Sequence, residues 1–148
     1  MKRAQHIDRA TIVDILVNSF RDNKSVNYII QQDSKKELRL RRLMEYSHDV
    51  CKLSGDVFIT EDNSACALIV KPDKKKTSLK AILLDIQLVI NCLGLSNVKK
   101  AMSREAKIKS YHPDGLIYYL WFIGVDPAKQ NQGIGSSLLK QVITEAQK

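Results

Sequence analysis

What this 148-residue chain has little of narrows it first. Its three cysteines, Cys51, Cys66 and Cys92, are odd in number and form no CxxC pair. That spacing builds neither a disulfide framework nor a zinc site, and buried thiols in a reducing compartment are expected. The N-terminus, MKRAQHIDRA, lacks the apolar core of a secretory signal. The longest apolar stretch, Ala81 to Leu95, is broken by Asp85, Gln87 and Asn91, so no membrane contact is expected and the protein reads as cytoplasmic. Aromatics interleaved with basic residues in the RNA-binding manner are absent, as is zinc-finger spacing. His6 and His48 have no neighbours that suggest a metal.

What is present suits one domain with its own core. The net charge is +8, with Lys71, Lys74, Lys75 and Lys76 in one cluster and Lys99, Lys100, Arg104, Lys107 and Lys109 in another. Such a balance attracts polyanions, whether nucleic acid or a ligand with several phosphates. For any single lysine a solvated surface is the simpler role, and no nucleic-acid partner is expected.

Periodicity divides the chain. Asp8 is placed to cap a first helix, with Ile12, Ile15, Leu16 and Phe20 on one face. Val26 to Ile30 forms a short apolar island. Ser34 and Glu37 have capping-box spacing, opening a helix with Leu40, Leu43, Met44, Ser47 and Val50 or Cys51 on its stripe and Ser54-Gly55 as its stop. Asp56 to Thr60 and Ala65 to Lys71 read as a hairpin across Glu61-Asp62-Asn63-Ser64. A helical pair follows over about 77–110. Its first helix has Ile82, Ile86, Val89, Ile90 and Leu93 on one stripe and Gly94 at its end. Its second is capped by Ser96, with Val98, Ala101, Met102 and Ala106 facing inward. His112-Pro113-Asp114-Gly115 is a turn, in which a His two residues before an Asp fits turn chemistry better than catalysis.

The stretch from Tyr118 to Ser136 carries the function. Leu116 to Val125 is nearly unbroken apolar and predicts a strand buried on both faces. Asp126-Pro127 stops it. Gln130-Asn131-Gln132-Gly133-Ile134-Gly135-Ser136 then leads into a helix carrying Leu138, Leu139, Val142, Ile143 and Ala146. The first N–H groups of a helix lack intrahelical partners and sit at the positive end of its dipole, so this loop is a candidate anion cradle. Gly135 is followed by Ser136 rather than lysine, which excludes a nucleoside-triphosphate loop. Leu138 stands where a dinucleotide fingerprint needs its third glycine. A glycine-rich turn without any ligand is the plain alternative.

Val125 followed by Gln130-Asn131-Gln132-Gly133-Ile134-Gly135 resembles motif A of the GNAT acetyltransferase superfamily. The flanking Tyr119-Leu120, Gly124-Val125-Asp126-Pro127 and Leu138-Leu139 are similar to the family as well. The resemblance implies a mixed α/β fold over 1–148, a mostly antiparallel sheet flanked by helices, with about 77–110 as a helical insertion. It implies acetyl-CoA as donor, its pantetheine arm on the backbone of Ile123, Gly124 and Val125, and its pyrophosphate on the amides of Gln130, Asn131, Gln132, Gly133, Ile134, Gly135 and Ser136. Phe20, Tyr28 and Tyr46 become candidates for substrate contact, and the acceptor an amine, small or on a protein. Family members attack directly, often with a strand carboxylate as base and a later tyrosine as acid. Leu116 to Val125 holds no carboxylate, and the family's segments after this helix would lie beyond Lys148, so the domain reads as incomplete and catalytic residues stay unassigned. An unpaired edge of that strand invites self-association. Two further readings are an inactive CoA-binding or protein-interaction module of the same fold, and a basic nucleic-acid-binding domain.

Overall fold

The computed structural model describes residues 1–74 and 78–148. Four strands, β1 (Lys2–Arg3), β2 (Gly55–Ile59), β3 (Ala65–Val70) and β4 (Tyr119–Val125), form one antiparallel sheet in the order β1-β2-β3-β4. Among the described residues six α-helices flank it: α1 (Arg9–Phe20), α2 (Lys24–Ile29), α3 (Lys36–Ser54), α4 (Leu79–Leu88), α5 (Leu95–Ser110) and α6 (Ile134–Ala146). The fold is mixed α/β, as the resemblance implies.

β3, ACALIV, is the strand covered on both faces, and its alternation sorts the two cores. Cys66 and Leu68 point into the larger one with Ile12, Leu16, Leu40, Met44 and Cys51 from α1 and α3. Ala65, Ala67 and Ile69 point the other way, where Leu138 and Val142 of α6 lie on them. Two alanines on this face leave room for the helix to sit close. β4 is instead an edge strand, fully buried only at Phe122 and Gly124, and it begins at Tyr119 because Leu116 is exposed. An apolar run reports affinity for a core but not how many sides of the strand have neighbours.

Several local expectations give way to closer partners. Asp8 accepts the Gln5 N–H at 2.8 Å and makes no cap bond to α1. The Ser34–Glu37 box does not form, because α3 starts only at Lys36. Asp33 serves there instead, accepting the Lys35 N–H at 3.0 Å and both guanidinium contacts of Arg39 at 3.0 and 2.6 Å. Gly94, at φ +66°, stands before Leu95, so α5 opens one residue ahead of Ser96. The Ser54-Gly55 stop does hold, since α3 ends at Ser54, but Gly55 is extended and opens β2, where a Cβ would sit 1.9 Å from the Ile69 carbonyl oxygen.

The pair α4–α5 departs furthest. Thr77, Lys75 and Lys76, at the start of the expected insertion and in the first lysine cluster, lie outside the described residues. From Ser78, whose hydroxyl caps α4 by accepting the Ala81 N–H at 3.1 Å, the helix lays Ala81, Leu84 and Leu88 toward the body. A π turn (Val89–Leu93) buries Cys92 and Leu93. Ile82, Ile86 and Ile90 are 45%, 50% and 68% exposed, and Met102 and Ala106 on α5 are exposed too, so only Val89, Leu93, Val98 and Ala101 of the expected apolar stripes turn inward. In α6, Leu139 and Ile143 likewise remain exposed beside buried Leu138 and Val142. Spacing reveals an apolar face, not whether anything covers it. Among the described residues no single helix is long and apolar enough to cross a membrane, and α4 with its π turn meets α5 at a bend of 118°.

Lys71 of the first cluster is not a free surface lysine. Its Nζ lies 2.6 Å from Oδ2 of buried Asp56, which also receives the Arg3 guanidinium and the Tyr118 hydroxyl, the latter at 3.2 Å. Burial pushes the Asp56 pKa up, but the hydrogen bonds from Lys71 and Arg3 outweigh it and hold the carboxyl below its ordinary value.

Two measurements follow. Leu16→Ala, at a position 0% exposed, is expected to lower the urea-derived stability by about 2–5 kcal/mol, whereas Ile86→Gln should shift it by about 0.5 kcal/mol or less. A large loss at Ile86 would place that face in the core. Because the folded pKa of Asp56 is depressed, its contribution is present above the unfolded value of about 3.9 and is lost as pH falls through the folded value. Asp56→Asn should therefore be less stable at neutral pH and should show a shallower decline of stability below about pH 5. An unchanged decline would assign the acid sensitivity to other carboxylates.

Candidate functional site

The site begins with the backbone of β4. Asp126 N–H donates to the Ser64 carbonyl at 2.8 Å, and the same register sets Cys66 opposite Gly124 and Ala67 opposite Ile123. Hydrogen-bonded and non-hydrogen-bonded pairs alternate along an antiparallel ladder, so Ile123 and Val125 turn their amides and carbonyls away from β3. They face the edge where the sheet ends. The Val125 carbonyl already accepts the Ser19 hydroxyl at 2.9 Å and the Gln130 side-chain amide at 3.3 Å. Ile123 therefore presents the freer pair of groups.

The register slips between Leu68, opposite Phe122, and Ile69, opposite Leu120, leaving Trp121 as the extra residue of a β-bulge. A glycine inside a strand often marks a bulge or the close approach of another element, and here the bulge lies at Trp121 while Gly124 has a close neighbour. A Cβ there would meet Leu16 Cδ2 and Ser19 Oγ at 3.2 Å, so the glycine lets α1 lie against the strand. The side chains of Ile123 and Val125 pack on the α6 side, while Trp121 and Phe122 pack on the α1/α3 side.

After β4, Asp126 caps a short turn (Pro127–Lys129) by accepting the Ala128 N–H at 3.0 Å, and the chain then reverses. Gln130, Asn131, Gln132 and Gly133 are exposed. Asn131 and Gly133 hold φ of +62° and +76°, left-handed values that glycine tolerates and asparagine accepts better than most residues. Gly133 is the N-cap of α6 and supplies no side-chain cap, and the first helical bond runs from Ser137 N–H to the Gly133 carbonyl at 2.9 Å. The amides of Ile134, Gly135 and Ser136 thus lack intrahelical acceptors at the positive end of a 13-residue helix. Gly135 has a packing reason of its own: a Cβ there would lie 3.3 Å from Val125 Cγ2. Ile134 packs into the α6-side core, and Ser136 is exposed.

On the opposite face, two of the three substrate candidates reach β4. Phe20 packs edge-on to Phe122 with centroids 5.1 Å apart, and Tyr46 meets Trp121 edge-on at 6.2 Å. Tyr28 stays on α2, exposed, beneath the Lys100 ammonium, and the structure does not bring it to the strand. The Tyr46 hydroxyl donates to Asp85 on α4 at 2.7 Å, and burial followed by that carboxylate pushes the phenol's pKa upward. Sequence reasoning missed Ser19, Trp121 and Asp85 as site residues. Only Trp121, the chain's single tryptophan, carried a signal.

The arrangement also limits the chemistry. β4 carries no carboxylate. The three cysteines are buried and unpaired, and burial pushes Cys66 and Cys92 up to about 12, so neither is an available thiolate. His112 lays its ring against Tyr119 at 5.4 Å, away from the loop at the far end of the strand. A groove of about 340 Å³ between α3 and α4 includes Arg9, Arg42, Glu45 and Asp49, but these charges pair among themselves.

Residues 94–148, which span α5, β4, the loop and α6, match the model of the Acetyltransferase (GNAT) family. No curated protein matches the chain. Among solved structures, that of histone acetyltransferase HPA2 and related acetyltransferase from Corynebacterium glutamicum ATCC 13032 superposes with a TM-score of 0.71. Sequence identity is 22%, over 98% of this chain and 70% of that one, which shows a shared fold. Residues 94–148 thus carry the sequence pattern of the Acetyltransferase (GNAT) family on the β4–loop–α6 unit, and nearly the whole chain shares its fold with a solved acetyltransferase.

Proposed function

We propose that this chain binds acetyl-CoA at the free edge of β4 and the start of α6 and promotes acetyl transfer to an amine by direct attack. The observation that carries this reading is an edge strand with outward-facing backbone groups at Ile123, joined through one short loop to a helix N-terminus without a side-chain cap. An extended amide-bearing arm can pair with such an edge as an added strand does, and a pyrophosphate suits the amides of Gly133, Ile134, Gly135 and Ser136. The group would supply an acyl thioester carbon open to a nucleophile. Ser19 keeps the Val125 carbonyl occupied, which directs pairing to Ile123. Gln130, Asn131 and Gln132 form the exposed rim of the phosphate end.

Direct attack is favoured because the thiols that could form an acyl-enzyme are buried and held neutral. Burial of all three thiols without pairing suits the cytoplasm. The lack of a carboxylate on β4 favours a second reading, a CoA-binding module without turnover, and the same free edge is open to pairing with a second copy. The small-amine and protein-amine readings of the acceptor both remain within this proposal.

The test is thermal unfolding with acetyl-CoA, since a ligand of the folded state must raise Tm. At a concentration one hundred times Kd the expected rise is about 5–10 °C for a domain of this size. Gly133→Val forces a β-branched residue into a φ of +76° and should remove most of that rise. No rise in a folded wild-type sample would overturn the donor reading. A rise without amine-dependent thiol release would leave the module.

A further inference from the structure

The half of β4 that precedes Ile123 has surroundings of a different character, and they bear on the acceptor. In the reading above, on which this inference rests, the anionic end of the donor sits beyond the C-terminal end of β4. An arm running back along the edge past Ile123 brings the reacting carbon level with Trp121, four residues and roughly 13 Å from Val125. Trp121 is the bulged residue, half-buried, with the Phe122 and Tyr46 rings near its own and Phe20 edge-on to Phe122. Beyond the Tyr46 ring its hydroxyl holds Asp85 Oδ1 at 2.7 Å, and among the described residues the other oxygen of this exposed carboxylate has no partner.

Glu105 on α5 adds its negative field at Tyr46 and at Tyr119. Arg104 on the same helix acts in the opposite sense at Tyr119 and donates to the Ser25 hydroxyl at 2.7 Å. In a chain of net charge +8, α4 and α5 thus deliver acidic groups to one end of β4, while the other end carries the amide loop. Aromatic rings leading to an open carboxylate select a cation. That cation is not the reacting nitrogen, because a carboxylate holding an ammonium keeps it protonated and unable to attack.

We infer that Phe20, Trp121, Tyr46 and Asp85 form the acceptor subsite for an amine that carries a second cationic group. The free amine lies beside Trp121, and the distal ammonium sits on Asp85. Tyr46 is a positioning residue that fixes the carboxylate, and Asp85 is the specificity-determining one.

Trp121 is the only tryptophan, so its fluorescence reads the subsite directly, without turnover. The probes are cadaverine and aminopentanol, which share a five-carbon spacer but differ in whether the far end is charged. In the whole chain with acetyl-CoA present, cadaverine should change Trp121 emission saturably, at a half-saturation about tenfold or more below that of aminopentanol. Asp85→Asn should bring the two probes together while leaving the acetyl-CoA Tm shift intact. Tyr46→Phe, which keeps the ring and loses the hydroxyl, should narrow the gap partially. The assignment is overturned if the probes titrate alike on wild type, if Asp85→Asn keeps the preference, or if neither probe acts up to about 10 mM, above the usual KM range. A Tm shift with no cadaverine preference sinks this inference alone. Cadaverine preference with no Tm shift sinks the donor reading, and with it the acceptor role assigned here.

Discussion

Among the described residues β4 pairs with another strand on one side only, and the rest of the molecule is arranged around that asymmetry. On its paired side, β3 supplies a ladder whose side chains divide the interior into two cores. On its open side, Ile123 offers backbone groups that a folded protein ordinarily satisfies, and such groups invite an extended partner. The neighbours reinforce this geometry. Gly124 lets α1 approach, and Ser19 on that helix takes the Val125 carbonyl; Gly135 lets the start of α6 pass close to Val125. Two glycines in the fingerprint stretch thus serve packing, while Gly133 and Asn131 supply the left-handed turn that points the α6 amides outward.

The electrostatics of the edge are graded along its length. At the C-terminal end a helix dipole and uncapped amides favour negative charge. At the N-terminal end the Asp85 carboxylate, held by Tyr46, favours positive charge despite the basic composition of the whole chain. A polyanionic donor and a cationic acceptor entering from opposite ends would each meet the sign they require. The pair α4–α5 matters in this picture for its inner side, through the Tyr46–Asp85 bond. Its outer face leaves Ile82, Ile86 and Ile90 in solvent.

The sequence by itself determined the local units and the family resemblance of the β4–loop–α6 stretch. The alternation of Ala65 to Val70, the 3.6-residue stripes of α1 and α3, the Asp126-Pro127 stop and the Gln130–Ser136 loop are short-range patterns, because each depends on the backbone geometry of a few neighbouring residues. Tertiary structure decided everything that depends on what lies opposite. It made β4 an edge strand, exposed most of the apolar stripe of α4, put a bulge at Trp121, paired Lys71 with Asp56 and joined Tyr46 to Asp85 across 39 positions. Periodicity shows which face of an element is apolar, but burial, register and long-range hydrogen bonds depend on how distant segments pack, and no local pattern encodes that.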